Sequence, residues 1–286
     1  MKGEPLPLPR SIKKPLRWAI KASRPLIGLK PEFIIIGAMK AGTSSLFAYL
    51  GRHPRVCPAP AKEIHYFDLS FDQGPAWYWA HFPTIIEAAL KARRLGPGLI
   101  TGEASPYYIF HPHAPRRAFE TVPQAKIIAI LRNPVDRAFS HYRHQVKKGR
   151  ETLSFEEALN REEERLAGEL ELMLADEGYY SFNHQHFSYL ARGLYLDQLR
   201  AWERYFPRER FLIIKSEDLF ARPEAVIKEI WPFLGLPGQD IKNFKVYNQG
   251  ISGHLDPFLR QRLVERFAGP NQELYEFLGR DLGWDS

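Results

Sequence analysis

Lys40 and three hydroxyl side chains lie in a glycine-containing turn that directly follows an apolar run. The run is Phe33-Ile34-Ile35-Ile36, and the turn extends from Gly37 to Ser45. Small residues allow backbone N–H groups to approach an anion, and a helix that begins after such a turn adds unpaired N–H donors and the positive end of its dipole. A purely structural turn needs neither a lysine nor hydroxyls. The segment therefore predicts a phosphate-binding loop.

The order of residues in this loop differs from the Walker A motif of nucleoside triphosphatases. That motif reads Gly-x-x-x-x-Gly-Lys-Ser/Thr, whereas here Thr43 follows Gly42 and the lysine comes two residues before the glycine. The pattern therefore disfavours an ordinary nucleoside triphosphatase. Two alternative functions stay open at this point. One is a kinase or nucleotide hydrolase that needs Mg²⁺ and binds ATP, and the other is a non-catalytic nucleotide-binding module.

Arg132 and Ser140 form a second candidate phosphate site. Arg132 follows the apolar run of residues 126–131, and Ser140 lies two turns into a helical pattern that begins at Pro134. Side chains at the carboxyl end of a parallel strand face the ligand crevice of an open sheet, and a planar guanidinium pairs well with phosphate oxygens. The pair could therefore bind a second phosphate of the same nucleotide. The alternative is an arginine that forms a salt bridge or a cap before Asn-Pro.

The segment Ala61 to Asp68 carries candidate acid–base residues. Glu63 and His65 alternate along a stretch that we expect to be extended, so both side chains could face one cleft. Either could act as a general base toward a hydroxyl. The alternative is a surface Lys–Glu pair beside a hydrogen-bonded histidine.

Short β-branched runs alternate with helical patterns along the chain, which is typical of βαβ units and a parallel sheet. The runs predict strands at residues 33–36, 99–103, 126–131 and 210–215. Helices are predicted at residues 43–50, 134–147, 154–175, 193–206, 223–234, 256–267 and 271–278. The 154–175 helix is acidic and opens with a capping box, so we expect a solvated face. The fold class is therefore α/β, with a central parallel sheet, flanking helices and a P-loop-like nucleotide site.

The positive charge of the chain is concentrated at its start. Residues 1–30 carry eight Lys or Arg against one acid, whereas 32 basic and 32 acidic residues follow. The high isoelectric point therefore reflects a proline-interrupted basic arm rather than a nucleic-acid-binding domain. Because residues 31–286 are formally neutral, their charge does not require a polyanionic substrate. We expect an arm at 1–30, with a weak membrane-surface contact left open, and a single domain at 31–286.

Several classes of protein do not fit the sequence. No apolar run reaches the roughly 18 to 20 residues of a membrane span, and no apolar stretch precedes a signal cleavage site. The one cysteine, Cys57, belongs to no zinc-like spacing. These features predict a cytoplasmic protein without a metal. Aromatic residues near the expected cleft could stack on a sugar or flat molecule, or could pack in the core: Tyr66, Phe67, Trp77, Tyr78, Trp79, Tyr107 and Tyr108.

Taken together, these motifs resemble sulfotransferases that use 3′-phosphoadenosine 5′-phosphosulfate (PAPS). The similarity is strongest to the heparan-sulfate-type carbohydrate branch and its bacterial relatives, and it covers about residues 31–286. Four segments match in chain order: residues 33–46, residues 62–68, residues 131–142 and the tail at 271–284.

The resemblance implies transfer of a sulfuryl group from PAPS to a hydroxyl or amine of a glycan, lipid-linked or small-molecule acceptor, which leaves adenosine 3′,5′-bisphosphate (PAP). No metal is implied. Lys40 would bind the sulfuryl group and the bridging oxygen, and Glu63 would be the base, with His65 as its rival. The implied nucleotide-binding residues are Lys40, Ala41, Gly42, Thr43, Ser44 and Ser45 near the 5′-phosphate, Arg132 and Ser140 at the 3′-phosphate, and Tyr195, Gln249 and Gly250 elsewhere.

Two positions depart from the family pattern. After Gly102-Glu103 the heparan-type enzymes carry a lysine, and this chain has Ala104. The Lys-Gly-Arg cofactor loop of the family corresponds to residues 247–253, which lack both basic residues. Gln249 and Gly250 are therefore expected to contribute backbone contacts only.

Overall fold

The computed structural model describes residues 27–247 and 255–285. Most of the expected basic arm lies outside the described residues, as do Gln249 and Gly250 of the expected cofactor loop. The division into an arm at 1–30 and a domain at 31–286 therefore stays a prediction. Within the described ranges, no helix has both the length and the apolar character needed to cross a bilayer.

Within those ranges, four parallel strands form the central sheet in the order β2-β1-β3-β4. Their bounds are Phe33–Gly37 (β1), Gly102–Ala104 (β2), Lys126–Leu131 (β3) and Phe211–Lys215 (β4). All of β1 and all of β3 after its first residue are buried, as expected for apolar strands covered on both faces. The predicted α/β class with a central parallel sheet is confirmed.

Strand β2 begins later than the sequence predicts. Ile100 forms a bridge with Val56 instead of β1, and its N–H donates to the Arg55 carbonyl oxygen at 2.9 Å. The ladder with β1 begins at Gly102, opposite Phe33. A Cβ on Gly102 would lie 2.5 Å from the Phe33 carbonyl oxygen, so this close pairing requires glycine.

Helices pack around the sheet, and several coincide with their predicted bounds. Helices at 43–50, 134–147 and 223–234 are confirmed, and the one predicted at 193–206 is shorter. In chain order, the helices of the described residues are Thr43–Leu50 (α1), Tyr66–Leu69 (α2), Gly74–Trp79 (α3), Ile85–Leu95 (α4), Ala114–Thr121 (α5), Pro134–Lys147 (α6), Phe155–Asn160 (α7), Glu162–Leu166 (α8), Glu169–Ala175 (α9), Phe182–His186 (α10), Tyr195–Glu203 (α11), Ser216–Ala221 (α12), Pro223–Leu234 (α13) and Pro257–Leu278 (α14).

The single acidic helix predicted at 154–175 is wrong. Its capping box forms between Ser154 and Glu157, but the segment divides into α7, α8 and α9. Gly168 precedes α9 with φ 77°, and this left-handed backbone interrupts a right-handed helix. A capping box fixes where a helix begins and carries no information on how far it continues.

The acidic face is also less solvated than predicted. Glu162 is buried, and its carboxylate accepts hydrogen bonds from the backbone N–H groups of Leu190 and Ala191 at 2.6 and 2.8 Å. Two charge-assisted hydrogen bonds offset part of the cost of burying this carboxylate. This contact ties α8 to the chain that leads into α11.

The two helices predicted near the end of the chain form one helix, α14, with Pro270 inside it. Proline removes one backbone hydrogen bond and normally interrupts a helix. Here Phe267 and Leu274, on either side of Pro270, are both buried. Packing of both halves against the protein therefore keeps them in one element.

Candidate active site

A cleft of about 1000 Å³ opens where β1 and β3 end. These strands are neighbours at the centre of the sheet, with β2 on one side and β4 on the other. Ligands of open α/β sheets bind at the carboxyl ends of strands where the strand order reverses. The cleft is lined by the predicted phosphate loop, the segment around Glu63, α6 along its length with the turn after it, and the start of α12.

Two hydrogen bonds hold the phosphate loop against neighbouring strand ends. The Arg132 guanidinium donates to the Lys40 carbonyl oxygen at 3.0 Å, and the Ser216 hydroxyl donates to the Ala41 carbonyl oxygen at 2.7 Å. Gly42 then caps α1 with φ 105°, and a Cβ there would lie 2.9 Å from the Phe220 ring. The loop and the N-terminus of α1 are therefore preorganised for an anion.

The electrostatics around Lys40 favour an anionic ligand. Burial first, and then the positive charge of Arg132, lower the pKa of the Lys40 ammonium. An anion bound between two cations would offset their repulsion and favour the charged form of the lysine.

Lys62 reaches into the same loop, a contact that the sequence analysis missed. Its ammonium donates to the hydroxyl oxygens of Thr43 and Ser44 at 3.1 and 2.8 Å, and to Glu63 Oε1 at 3.2 Å. The lysine thus connects the phosphate loop with the candidate base. The sequence analysis considered only a surface Lys–Glu pair as the alternative role of this lysine, because nothing local shows that the segment folds back onto the loop.

Glu63, His65 and Asp68 form a chain of charged contacts at the edge of the cleft. His65 Nδ1 lies 2.8 Å from Asp68 Oδ2, and His65 Nε2 lies 3.8 Å from Glu63 Oε2. The predicted extended conformation is wrong, because Glu63 and His65 have φ 60° and 55°. The Glu63 N–H donates to the Ala104 carbonyl oxygen at 2.9 Å, which anchors the turn beside β2.

This arrangement fixes the charge state of the two candidate bases. The adjacent His65 imidazolium, and then Lys62, hold the pKa of Glu63 at about 2 despite partial burial. Burial alone would lower the pKa of His65, but the carboxylates of Asp68 and Glu63 outweigh it and raise the pKa to about 10. At neutral pH, Glu63 is therefore an anion and His65 a cation. Of these two candidate bases, only Glu63 has a lone pair that can accept a proton.

Arg132 and Ser140 both line the cleft. Asn133 caps α6 between them, and its side-chain oxygen accepts from the N–H groups of Val135 and Asp136 at 3.0 and 3.4 Å. The cap and the proline at the first helical position fix the direction of α6 relative to β3. The strand end and the first two turns of the helix therefore face one ligand space.

Three other candidates support the cleft without lining it. The buried Ser45 hydroxyl accepts from the Tyr247 N–H at 3.0 Å, and the buried Tyr195 hydroxyl donates to the Arg132 carbonyl oxygen at 2.7 Å. Ala41 is buried within the phosphate loop. Any effect of the Ser45 and Tyr195 side chains on a ligand would pass through the backbone that they hold.

The cleft is strongly basic. Eight Lys or Arg line it among the described residues, against three acids. The basic residues are Lys40, Lys62, Arg132, Arg143, Lys147, Lys148, Arg150 and Arg192, and the acids are Glu63, Asp136 and Glu217. The formal neutrality of residues 31–286 therefore does not describe the cleft, and the inference that a polyanionic acceptor is not demanded loses its basis.

Of the seven aromatic residues expected near the cleft, only Tyr107 lines it within the described part of the chain. Tyr66 and Tyr78 stack with their ring centroids 4.5 Å apart, and Phe67 and Tyr108 are fully buried beside them. Core packing, the alternative considered for this set, is confirmed for these four residues. Long runs of aromatic residues do not by themselves indicate a ligand surface.

A central parallel sheet with a phosphate-type loop after β1 and a ligand cleft at the strand ends defines an α/β protein of the P-loop-like class. A family model described as a sulfotransferase domain matches residues 30–248. The chain therefore belongs to the sulfotransferase family.

Relatives in that family match across most of the chain. The chain is 31% identical to heparan sulfate glucosamine 3-O-sulfotransferase 6 of Homo sapiens, over 89% of this chain and 73% of the relative. It is 29% identical to the membrane-associated sulfotransferase kil1 of Dictyostelium discoideum, over 90% of this chain and 67% of the relative. The crystal structure of a sulfotransferase from Alicyclobacillus acidocaldarius matches with a TM-score of 0.69 at 34% identity, over 90% of this chain and 100% of that chain. The resemblance to the heparan-sulfate-type branch and its bacterial relatives is confirmed.

The expectation of a cytoplasmic protein is wrong. The relatives include a sulfotransferase named as membrane-associated and enzymes named for heparan sulfate. The expectation rested on a single cysteine and on the lack of a targeting pattern. Neither feature shows whether the surface of the folded protein contacts a membrane.

Proposed function

We propose that the chain transfers the sulfuryl group of PAPS to a hydroxyl of an anionic glycan. The observation that carries this proposal is the convergence of Lys40, Lys62 and Arg132 on one cleft, with Lys62 in contact with both the phosphate loop and Glu63. Membership of the sulfotransferase family supports the reaction type. The heparan sulfate relatives support a glycan as the acceptor class.

The side chains of the cleft suit a nucleotide that carries anionic groups at two positions. The phosphate loop with Lys40 would hold the 5′-phosphosulfate, and Arg132 with Ser140 would hold the 3′-phosphate. PAPS supplies the sulfuryl group and a phosphate as the leaving group. Ser45 and Tyr195 would act indirectly, because their hydroxyls bond protein backbone.

Lys40 and the N–H groups at the start of α1 would stabilise the transition state. During in-line transfer, negative charge builds on the oxygen that leaves sulfur. Donors fixed near that oxygen interact more strongly with the transition state than with the ground state, which is the condition for acceleration. The backbone contacts of the loop with Arg132 and Ser216 hold these donors in place before the ligand arrives.

Glu63 would accept the proton of the acceptor hydroxyl. Its low pKa makes it a weak base at rest, but the hydroxyl becomes strongly acidic as its bond to sulfur forms. His65 already carries its proton, so its part would be to orient the Glu63 carboxylate, with Asp68 behind it. These proposed roles of Glu63, His65 and Asp68 assign no step to a metal ion.

Four of the five remaining basic residues of the cleft would bind the acceptor. Arg143, Lys147, Lys148 and Arg150 belong to α6 or the turn after it, and none of them is part of the phosphate loop. A wall of four cations concentrates an anionic substrate and steers its approach.

Arg132→Ala is expected to remove the preference for a 3′-phosphorylated nucleotide. The measurement is calorimetric titration with PAP and with ADP, each with and without Mg²⁺. The unchanged chain should bind PAP without metal and more tightly than ADP. The variant should lose about 10- to 100-fold in affinity for PAP, the worth of a charge-assisted phosphate contact, and little for ADP.

Arg150→Ala is the matched control for that titration, since Arg150 lines the same cleft but lies beyond the end of α6, ten residues from Ser140. Its affinity for PAP should stay close to that of the unchanged chain. Tight binding of ADP that depends on Mg²⁺, with no preference for PAP, would contradict the proposal and favour the kinase or nucleotide hydrolase.

The pH dependence of kcat/KM distinguishes the two candidate bases. With a pKa of about 2 for Glu63 and about 10 for His65, neither group changes its charge between about pH 5 and pH 8. We therefore expect a flat profile over that interval, measured at constant ionic strength. A histidine base with an ordinary pKa would instead lose activity as the pH falls below about 6.5, and such an acid limb would contradict the assignment to Glu63.

A further inference from the structure

Helix α4 turns its large apolar side chains away from the protein. Ile85, Ile86 and Leu90 are 53%, 45% and 58% exposed, and no residue of this helix is buried. The opposite side, which is half-buried, carries small or polar residues: Glu87, Ala88, Lys91 and Ala92. This is the reverse of a helix that packs its apolar stripe on a core. Large apolar side chains exposed together on one face of a helix are typical of an interaction site.

The helix is held by contacts that leave this face free. Thr84 and Glu87 form a capping box, in which the Thr84 hydroxyl accepts from the Glu87 N–H at 3.1 Å and the Glu87 carboxylate accepts from the Thr84 N–H at 2.7 Å. On the inner side, the Lys91 ammonium donates to the Val56 carbonyl oxygen at 3.2 Å. These polar contacts lie at the N-cap and on the inner side of α4, away from the exposed parts of the apolar side chains.

The start of the described chain lies beside this helix. Gly28 forms an antiparallel bridge with Thr84, the N-cap of α4, and the Leu29 N–H donates to the Pro83 carbonyl oxygen at 2.8 Å. The described chain therefore begins next to the first turn of α4. The sequence of residues 1–26 contains seven Lys or Arg against one acid.

Charge favours an anionic membrane surface over the segment 1–26 as the occupant of the apolar face. Arg93 and Arg94 are exposed in the last turn of α4, so the face is itself bordered by positive charge. The segment 1–26 is also positive and does not complement it. An anionic surface complements both the two arginines and the segment. Apolar side chains next to arginines also suit the boundary between lipid headgroups and acyl chains.

We propose that the outer face of α4, formed by Ile85, Ile86 and Leu90 with Arg93 and Arg94, binds the surface of a bilayer that contains anionic phospholipid. The apolar side chains enter the headgroup boundary, and the two arginines contact lipid phosphates. Combining an apolar contact with a basic one gives attachment that neither gives alone. This inference does not depend on the proposed sulfuryl transfer.

The test is co-sedimentation of the full chain with sucrose-loaded vesicles of phosphatidylcholine, with or without phosphatidylglycerol. We expect binding to the mixed vesicles at low salt and partition at least about tenfold weaker for Ile86→Glu/Leu90→Glu. Leu172→Glu/Leu174→Glu is the matched control, because these leucines of α9 are 51% and 57% exposed. It should partition like the unchanged chain, and circular dichroism shows whether both variants are folded.

A second variant, Arg93→Ala/Arg94→Ala, keeps the apolar residues and should weaken partition by about threefold or more. Equal partition of Ile86→Glu/Leu90→Glu and its control would overturn the proposal, since the basic segment alone would then account for binding. Absence of binding to the mixed vesicles would overturn it as well. So would a concentration-dependent dimer that only Ile86→Glu/Leu90→Glu dissociates, which would assign the face to a second copy of the chain.

Discussion

Glu63→Gln is expected to lower the turnover of sulfuryl transfer by about 10²- to 10⁴-fold, the usual worth of a general base, while affinity for PAP changes little. The amide has the size of the carboxylate, and its oxygen still accepts the hydrogen bond of Lys62, which is 3.2 Å in the native protein. It cannot take the proton of the acceptor. The measurements are kcat at saturating PAPS and acceptor, and the calorimetric Kd for PAP.

Asp136→Asn is the control for Glu63→Gln. Asp136 is another acid of the cleft, but its carboxylate is occupied by Arg260 at 2.7 Å. Loss of a half-exposed ion pair should change turnover by no more than about threefold. If Glu63→Gln keeps nearly native turnover, the base is His65. If the unchanged chain binds PAP tightly and sulfates none of a broad panel of acceptors, the non-catalytic nucleotide-binding module is the better description.

Lys40→Met is expected to lower kcat by about 10²- to 10³-fold, the cost of removing one preorganised donor from a developing oxyanion. Methionine keeps most of the length of the side chain and removes its charge. The contact of Arg132 with residue 40 survives, because the acceptor is the backbone carbonyl. The loop should therefore keep its shape, and the loss should fall on kcat. The measurement is steady-state kinetics with PAPS and acceptor varied separately.

Lys148→Met provides the contrasting result. Lys148 lines the cleft on the wall proposed to bind the acceptor. Its replacement should raise KM for an anionic acceptor and leave kcat nearly unchanged, since the contact is equal in the ground and transition states. If Lys40→Met likewise changed only KM, Lys40 would bind the nucleotide without stabilising the leaving oxygen.

The fold was largely predictable because its core elements have strong local signals. The runs that form β1 and β3 are continuously apolar, as strands buried on both faces must be. Helix α6 begins with Asn-Pro, which supplies both a cap and the fixed φ of the first turn. The failures occurred where local patterns did not decide the outcome. The continuity of α14 through Pro270 depends on packing that local sequence does not record. The division of 154–175 depends instead on the left-handed backbone that Gly168 adopts, which the helical pattern alone does not predict.

The candidate site was predictable in its parts but not in its connections. The phosphate loop and Arg132 follow from residue type at strand ends, and both line the cleft. The reach of Lys62 into the loop depends on positive-φ turns at Glu63 and His65, a conformation unusual for residues with side chains. The basic wall was hidden because net charge averages over the whole chain, whereas a cleft selects the residues that face it.

Trp284, which is distant in sequence from the proposed 3′-phosphate pocket, helps to hold the residue next to Arg132 in place. The Asn133 side-chain amide donates to the Trp284 carbonyl oxygen at 3.3 Å, across a separation of 151 residues. Glu217 joins the two, since it accepts from the Asn133 N–H at 2.9 Å and from the Trp284 indole N–H at 3.3 Å. During translation, the ribosome must therefore deliver the chain as far as Trp284 before this pocket is complete. A nascent chain that ended after β4 would contain the phosphate loop without the tryptophan that supports the residue next to Arg132.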